Sequence, residues 1–370
     1  MRHAGFLIKS SRGGAVVLAL LVFALADPSV IQNVFTNTSN SGAARHHHTA
    51  TLLLNGGVLV AGGEDGAGNI LSSAELYDPA TRTWKETGSL AEPRKNHTAG
   101  LLPDGRVIVV GGYHRGELAS AELFDPATGT WSGAGHMTSS RVQHSTNLLP
   151  SGNVMVAGGQ AGPASVEVYD PSRGTWTSTG SLITGRREHV AIRFFNSTVL
   201  VVGGRAEPGA GLLASAELYD PATGQWSGRG SLKTARAGHA ATLLGTAKVL
   251  VTGGSDGDGP LASAELYDPT TGLWTETGSM GTARSQHTVK LLSTGQVLVA
   301  GGRGPGGAIL SSAELYNPGA GTWSSIGSML SGRYVHTATL LLDGSVLMAG
   351  GLADGSGVAA QAEQFSQNAP

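Results

Sequence analysis

Cysteine is absent from the 370-residue chain, charged residues make up only 14% of it, and aromatic residues only 5%. Without cysteine the protein can form no disulfide, thiolate metal site or iron–sulfur cluster, and it has no thiol nucleophile. The formal net charge of −2 provides no overall positive field that would attract nucleic acid or an anionic membrane. No segment shows a sustained 3.6-residue apolar period, which argues against a mainly helical fold.

Glycine, in contrast, is abundant: the chain contains 57 glycines, and they do not follow the three-residue period of collagen. A Gly-Gly pair recurs seven times at intervals of 45 to 50 residues, each time at the end of an apolar run such as VLVAGG or VIVVGG. Repeats of this length are typical of propellers and solenoids. The first glycines of the pairs are Gly62, Gly111, Gly158, Gly203, Gly253, Gly301 and Gly350.

Each repeat unit contains four short segments, which predict four β-strands. An Arg-x-x-His segment leads into strand a (HTATLLL in the first unit), a tight turn leads to the apolar strand b, and a variable loop leads to strand c (AELYDP). A turn such as DPATGT then leads to strand d, which carries a Trp in six of the units. The units begin at Arg45, Arg94, Arg141, Arg186, Arg236, Arg284 and Arg333.

These motifs resemble the kelch repeat, in which an apolar run ending in Gly-Gly is followed by a Tyr and a Trp at fixed spacing, with a period near 50 residues. The resemblance covers essentially everything after about residue 33. It implies an all-β fold, namely a seven-bladed kelch-type β-propeller with four antiparallel strands in each blade. We expect this propeller to be a single domain over residues 27–370.

The seventh unit is incomplete, because Phe365 replaces the Tyr and the chain ends five residues later without a strand d. Trp precedes the Arg of the next unit by ten residues in all six cases, and ten residues before Arg45 stands Phe35. We therefore expect residues 34–38 to supply the missing strand beside Phe365, since an open ring would expose a strand edge that invites aggregation. A disordered leader over residues 27–44 is the alternative.

The first 26 residues have the features of a secretory signal peptide. Arg2, Lys9 and Arg12 precede the twelve-residue apolar run AVVLALLVFALA, which ends in a small-x-small cleavage pattern at Ala26. A spanning helix needs about 20 apolar residues, so the run is short for a membrane anchor, which is the alternative. Both interpretations predict an exported protein that is secreted, periplasmic or located at the cell surface.

Strand direction divides the loops between the two faces of the expected propeller. The b–c loops and the d–a connections lie on one face, the b–c face, and the short a–b and c–d turns lie on the other. Variable loops on a rigid scaffold commonly carry binding sites, so we expect ligands on the b–c face, although any single loop residue there could simply be solvated. The candidate contacts are Glu64, Asp65, His114, Arg115, Arg205, Glu207, Asp256, Asp258, Arg303 and Asp354.

The seven arginines that begin the units are a second candidate set on the same face. A ring of guanidinium groups suits bidentate binding of a carboxylate or phosphate. We favour a structural role, because a residue present in every blade serves a need of every blade. In that case each Arg pairs with a Glu of strand c, and the neutral His three residues after it bonds to the backbone. The carboxylates are Glu75, Glu122, Glu167, Glu217, Glu265, Glu314 and Glu363.

Few residues suggest metal binding or catalysis. His46, His47 and His48 are adjacent, but only His46 and His48 would share a face of a strand, and no carboxylate is near in sequence. The pattern therefore predicts no metal site and no cofactor. Kelch-type copper radical oxidases use a Tyr–Cys cofactor, which this chain cannot form. The resemblance to bacterial kelch proteins that interconvert sialic acid anomers leaves Glu188, in the segment RREH, as one candidate acid/base.

The sequence favours an exported, monomeric, non-catalytic scaffold whose b–c face binds a protein or a glycan. A closed ring would hold the loops in place and so reduce the entropy lost on association. The alternative is a carbohydrate-active enzyme that resembles the kelch-type sialic acid mutarotases and acts on an acidic sugar. The two hypotheses differ in whether Glu188 accelerates anomer exchange.

Overall fold

The computed structural model describes residues 32–207, 211–354 and 357–368. Within these ranges the chain contains β-strands, one short 3-10 turn at Pro305–Gly307 and no α-helix. The predicted signal peptide, residues 1–26, lies outside the described residues. In the described part of the chain, no helix is long and apolar enough to cross a membrane.

Seven four-stranded antiparallel sheets follow one another along the chain, each with its strands hydrogen-bonded in the order a, b, c, d. Strand b is completely buried in every blade, because its Val, Leu, Ile, Met and Ala side chains pack against both neighbouring blades. The a strands are Thr49–Leu52, Thr98–Leu101, Ser145–Leu148, Val190–Arg193, Ala240–Leu243, Thr288–Leu291 and Thr337–Leu340. The b strands are Val58–Ala61, Val107–Val110, Val154–Ala157, Val199–Val202, Val249–Thr252, Val297–Ala300 and Val346–Ala349.

In the first six blades a turn that begins with Asp or Asn joins strands c and d, and this side chain accepts a hydrogen bond from the backbone N–H two residues later, as Asp78 does from Ala80 at 2.9 Å. The c strands are Ala74–Asp78, Ser120–Asp125, Val166–Asp170, Ser215–Asp220, Ala264–Asp268, Ser312–Asn317 and Ala362–Asn368. The d strands are Thr83–Thr87, Thr130–His136, Thr175–Ser178, Gln225–Ser231, Leu273–Thr277, Thr322–Ser328 and Gln32–Asn37. Two-residue strands on the b–c face are Arg186–Arg187, Arg205–Ala206, Arg333–Tyr334, Leu352–Ala353 and Gly357–Val358.

The two ends of the chain meet in the seventh blade. Gln32–Asn37 pairs antiparallel with Ala362–Asn368, and Phe35 lies directly opposite Phe365 with ring centroids 5.1 Å apart. The register matches that of the other blades, in which a Tyr or Phe of strand c faces the Trp of strand d. The predicted closure is therefore confirmed, with bounds two residues earlier at the start of the strand.

The blades form a closed ring around a central channel. Each a strand contacts the a strands of the two adjacent blades, and the last contacts the first. Most a-strand residues remain partly exposed although they belong to the innermost strand of the blade, which indicates that they line the channel. The described residues thus contain seven such sheets, the number that the repeat count predicts.

Hydrophobic clusters between adjacent blades form the core. In one of them Leu59 and Ala61 of the first blade pack against Val107, Val109 and Phe124 of the second. The tryptophans are only half-buried, because strand d is the outermost strand of the blade. Each indole N–H donates to a carbonyl of the preceding blade, so the tryptophans also link neighbouring blades.

Closure by the N-terminal strand predicts a large stability loss when that strand is removed. Deleting residues 27–40 should lower the melting temperature sharply, because it exposes the edge of Ala362–Asn368. Phe35→Ala should cost about 2 kcal/mol, less than a fully buried aromatic would. Phe35→Trp, which installs the aromatic residue of the other six blades, is the control and should retain stability. An unchanged melting temperature after the deletion, measured by circular dichroism, would contradict closure.

Candidate functional site

A buried ion pair recurs in every blade. In the second blade Arg94 is fully buried, and its Nη2 donates to Oε1 of Glu122 at 2.7 Å. Its Nη1 donates to the carbonyls of Gly111 and Ser120 at 2.8 and 3.1 Å. The other six Arg–Glu pairs have Nη2–Oε1 distances of 2.6–2.8 Å.

The carboxylate of the pair also holds the connection between blades. Oε2 of Glu122 accepts the backbone N–H of Ala91 at 2.7 Å, and Oε1 accepts that of Glu92 at 3.3 Å. The ion pair therefore fastens the d–a connection and the start of strand a to strand c. Because the guanidinium groups are buried and partnered, they offer no surface to a ligand, which agrees with the structural interpretation of the arginine ring.

The Gly-Gly pairs accommodate this arrangement. Gly62 has a φ of 65° and Gly63 one of 99°, a region that favours glycine. A Cβ at Gly62 would lie 2.5 Å from the carbonyl oxygen of Arg94 in the next blade. The N–H of Gly63 donates to that same carbonyl at 2.9 Å. The glycines thus allow two blades to approach closely and have no phosphate-binding role.

The repeated histidines bond to side chains of the preceding blade. The sequence had led us to expect bonds to the backbone instead. Nε2 of His97, for example, lies 3.0 Å from the hydroxyl of Thr49. His287 reaches a hydroxyl on strand b instead, that of Thr252, at 2.9 Å. The equivalent pairs, at 2.8–3.0 Å, are His48–Thr337, His144–Thr98, His189–Ser145 and His336–Thr288.

One blade interface lacks this bond. Both ring nitrogens of His239 are buried without a hydrogen-bond partner. The residue that supplies the hydroxyl in most other blades is Val190 in the fourth blade, so there is no acceptor or donor at that position. The interface between the fourth and fifth blades is therefore less completely hydrogen-bonded than the others.

The two residues between each Arg and His form the end of the channel, and we call these seven pairs the channel mouth. The first residue pairs with the residue that follows Gly-Gly, as His46 does with Glu64 and Arg187 with Arg205, which places the b–c loops beside the mouth. The second residue has a positive φ in every blade. These second residues are His47, Asn96, Gln143, Glu188, Gly238, Gln286 and Val335.

Backbone hydrogen bonds join successive second residues at five of the seven junctions around the axis, such as that from the N–H of Asn96 to the carbonyl of His47 at 3.0 Å. Their side chains differ from blade to blade, whereas the flanking Arg and His do not. Sequence reasoning missed most of these positions. The signal that could have found them is this pair of varying positions inside an otherwise constant motif.

An ion-pair network occupies the mouth at the third and fourth blades. Oε1 of Glu188 lies 3.0 Å from Nη1 of Arg187, and Oε2 lies 3.1 Å from Nε of Arg205. Arg187 also pairs with Glu207 and donates to Oε1 of Gln143 at 2.9 Å. Because both oxygens of Glu188 are engaged by guanidinium groups, the carboxylate is poorly placed to exchange a proton with a substrate.

A second cluster lies at the first and second blades. The Nδ1 atoms of His46 and His47 are 2.6 Å apart, and the ligand atoms of these histidines and Glu64 all lie within 4.8 Å of one another. Burial lowers the pKa of His47 to about 4. The expectation that only His46 and His48 share a face is wrong, because the positive φ of His47 turns its ring toward His46. The carboxylate of the cluster, Glu64, is distant in sequence and comes from the b–c loop.

The ammonium group of Lys95 already occupies this cluster. Nζ of Lys95 lies 2.6 Å from Oε2 of Glu64 and 5.9 Å from the ring centroid of Tyr113. Any metal ion bound by the two histidines and Glu64 would have to displace this ammonium group. The geometry therefore does not favour a metal, although it does gather more ligand atoms than the sequence suggested.

The remaining candidates are spread around the rim of the b–c face and do not form one pocket. Asp65 and Asp256 accept backbone N–H groups of their own loops and thereby fix the loop shapes. His114 lies 3.9 Å from Glu92. Among the remaining candidates, Arg115, Asp258, Arg303 and Asp354 are exposed and form no ion pair with the described residues.

Two cavities differ in position and chemistry. Asp258 and Arg303 line one of about 300 Å³ on the b–c face. The other, of about 650 Å³, lies on the opposite face between the turns of the third and fourth blades, and Asp220 is its sole carboxylate. A similar groove of about 380 Å³ occurs in the first blade, so we attribute these grooves to the repeated turn geometry.

The closed ring of four-stranded sheets defines the protein as a β-propeller. A family model described as the KLHDC2/KLHL20/DRC7 Kelch-repeats domain matches residues 143–351, more than half of the chain, and the Kelch motif matches residues 45–91 and 93–138. The chain therefore belongs to the kelch-repeat family. No curated protein matches its sequence.

A solved structure of similar fold is a fungal protein described as a "novel fungal alcohol oxidase with catalytic diversity among the AA5 family, in complex with copper". The two chains are 19% identical with a TM-score of 0.73, over 92% of this chain and 77% of the other. At this level of identity the likeness concerns the fold alone.

The incomplete interface predicts a stabilising substitution. Val190→Thr places a hydroxyl where the other blades have one, and the new hydrogen bond to His239 should stabilise the protein by about 1 kcal/mol. Thr49→Val, which removes the partner of His97, is the matched opposite and should destabilise by a similar amount. Both are measured by urea unfolding. If Val190→Thr were no more stable than wild type while Thr49→Val lost stability, the proposed pairing of His239 would be wrong.

Burial of the seven histidines makes their neutral form the favoured one. It lowers the pKa of His97, His144, His239 and His336 to about 3. The pKa values of His48, His189 and His287 are lowered well below the usual range for the same reason. In the unfolded chain these groups titrate near 6.5.

The folded state should therefore lose stability as the pH falls below about 6.5, with up to about 1.4 kcal/mol per pH unit from each histidine. Protonation of carboxylates contributes to the loss of stability only below about pH 4.5. The change in stability between about pH 6.5 and 4.5 therefore comes mainly from the histidines. The measurement is the free energy of unfolding in urea at several pH values. His239→Gln should reduce the slope, whereas His136→Gln, at an exposed position, should not. Constant stability between pH 7.5 and 5.5 would refute this.

Proposed function

We propose that the chain is a binding module that recognises a partner protein on its b–c face, around the channel mouth. Kelch repeats generally mediate protein interactions, which supports this class of function. The observation that carries the proposal is that the repeated polar residues are buried, whereas the variable ones lie on one face. The Arg and Glu of every repeat are buried and paired with each other, and the repeated His is buried too, whereas the charges that differ between blades lie around the rim and mouth of one face.

A partner with charges of both signs fits this surface best. Arg115 and Arg303 present cations on b–c loops, and Asp258 and Asp354 present carboxylates, all exposed and without ion pairs in the described part of the chain. Such a rim favours association and orients the partner, because complementary charges steer encounter. The loops are fixed by backbone pairing to the d–a connection, so little ordering entropy is lost on binding.

The proposal includes export and a monomeric, non-catalytic state. Export is supported by the basic start, apolar run and cleavage pattern of residues 1–26. A non-catalytic role is supported by the engagement of both oxygens of Glu188 with Arg187 and Arg205. A glycan remains the alternative ligand class of the same face.

The test is a selection of displayed random peptides on the immobilised protein, followed by affinity measurement with charge-reversal variants. Arg115→Glu and Arg303→Glu should each weaken the binding of selected peptides by roughly tenfold, about 1.4 kcal/mol. Arg173→Glu is the control, since this side chain is 77% exposed on the opposite face. Equal weakening by the control, or peptides insensitive to both loop variants, would contradict the b–c face as the binding surface.

The mutarotase alternative is tested separately. The guanidinium groups of Arg187 and Arg205 beside Glu188 would suit the carboxylate of an acidic sugar, which is the observation in its favour. NMR exchange spectroscopy of sialic acid anomers with and without the protein measures the activity directly. Acceleration that is lost in Glu188→Gln would replace the scaffold proposal with the enzyme.

A further inference from the structure

The wall of the central channel carries positive charge that nothing in it balances. The seven a strands that form this wall contain two basic residues, Arg193 and Lys290, and no acidic residue. Arg193 is exposed at the end of its strand, next to the a–b turn. Lys290 is the third residue of Thr288–Leu291, inside the strand. The a strands therefore bring positive charge to the channel toward its a–b end, away from the mixed charges at its mouth.

Lys290 is enclosed without a partner. Among the described residues it forms no ion pair and no side-chain hydrogen bond, and its backbone neighbour on strand b is the buried Leu298. Burial lowers its pKa, and no charged group acts against that effect. Yet the residue keeps partial exposure, which on an innermost strand means access to the channel.

A second polar group at the same level also lacks a partner. Asn147 is the third residue of its own a strand, Ser145–Leu148, and its Oδ1 is buried without a hydrogen bond. Hydroxyls stand at the same strand position in other blades, on Thr51, Thr242 and Thr339. The third position of the a strands is thus polar in five of the seven blades, the exceptions being Gly100 and Ile192, and its one charged member, Lys290, has no counter-charge.

An ammonium group held in protein without a counter-charge is costly, so it either loses its proton or pairs with an ion from solution. We propose that the central channel binds a small monovalent anion, chloride or a short carboxylate such as acetate, against Nζ of Lys290. One cation supplies one unit of positive charge, which matches a monovalent anion. The site is separate from the b–c face and does not depend on the binding function proposed above.

The test compares wild type with Lys290→Met while sodium gluconate is replaced stepwise by sodium chloride or sodium acetate at constant ionic strength. The melting temperature of wild type should rise saturably, by roughly 2–4 °C. Lys290→Met should not respond, and in gluconate it should be at least as stable as wild type, because an uncompensated cation has been replaced by an apolar side chain. Lys248→Met, which removes a lysine paired with Asp268 at 3.2 Å, is the control and should respond like wild type.

A second measurement uses the wild-type protein alone, so it holds even if Lys290→Met fails to fold. The side-chain NMR titration of Lys290 should move to higher pH when chloride or acetate replaces gluconate, because a bound anion favours the charged form. An anion-independent titration, or an equal rise of melting temperature in wild type and Lys290→Met, would overturn the site. A response to chloride without one to acetate would identify the inorganic anion as the ligand.

Discussion

The buried Arg–Glu pair is the interaction on which the b–c face depends. Placing two charges inside a protein costs several kcal/mol for each ion, and this cost is offset only when every donor and acceptor is well used. Here Nη1 of Arg94 donates to two carbonyls and Nη2 to Glu122, whose oxygens also accept two backbone N–H groups. Removing either partner would leave the other charge buried without a counter-charge, which typically destabilises a protein by about 3–5 kcal/mol.

The same pair explains why binding potential is confined to a few positions. The scaffold uses the repeated Arg, Glu, His and Gly-Gly to fasten each blade to itself and to its neighbour, so none of these groups is free for a ligand. What remains variable is the pair of residues at each position of the channel mouth and the b–c loop beside it. A propeller of nearly identical blades can therefore acquire an asymmetric binding surface, because the backbone at the mouth is held identically while the side chains change.

The fold could be predicted from the sequence because its determinants are local and repeated. Counting from Trp to Arg located Phe35 as the missing aromatic of the last blade, since closure keeps the same spacing as every other junction. The partners of the histidines could not be predicted in this way, because they depend on which residue of the neighbouring blade faces the ring. The approach of His47 to His46 and Glu64 could not be predicted for a different reason. It depends on the positive φ of His47, and the alternation of polar and apolar residues does not reveal a positive φ.

Departures from the repeat gather in the fourth blade, and this has a physical consequence. Val190 removes a hydroxyl from the interface with the fifth blade, Arg193 replaces a leucine at the end of the innermost strand, and Glu188 and Arg205 build the ion-pair network at the mouth. Each of these residues either removes a hydrogen bond or introduces a charge at a position where most other blades have a hydrogen bond or an apolar side chain. Stability alone would favour the hydroxyl, the leucine and the apolar contacts of the other blades, so packing does not account for these residues of the fourth blade.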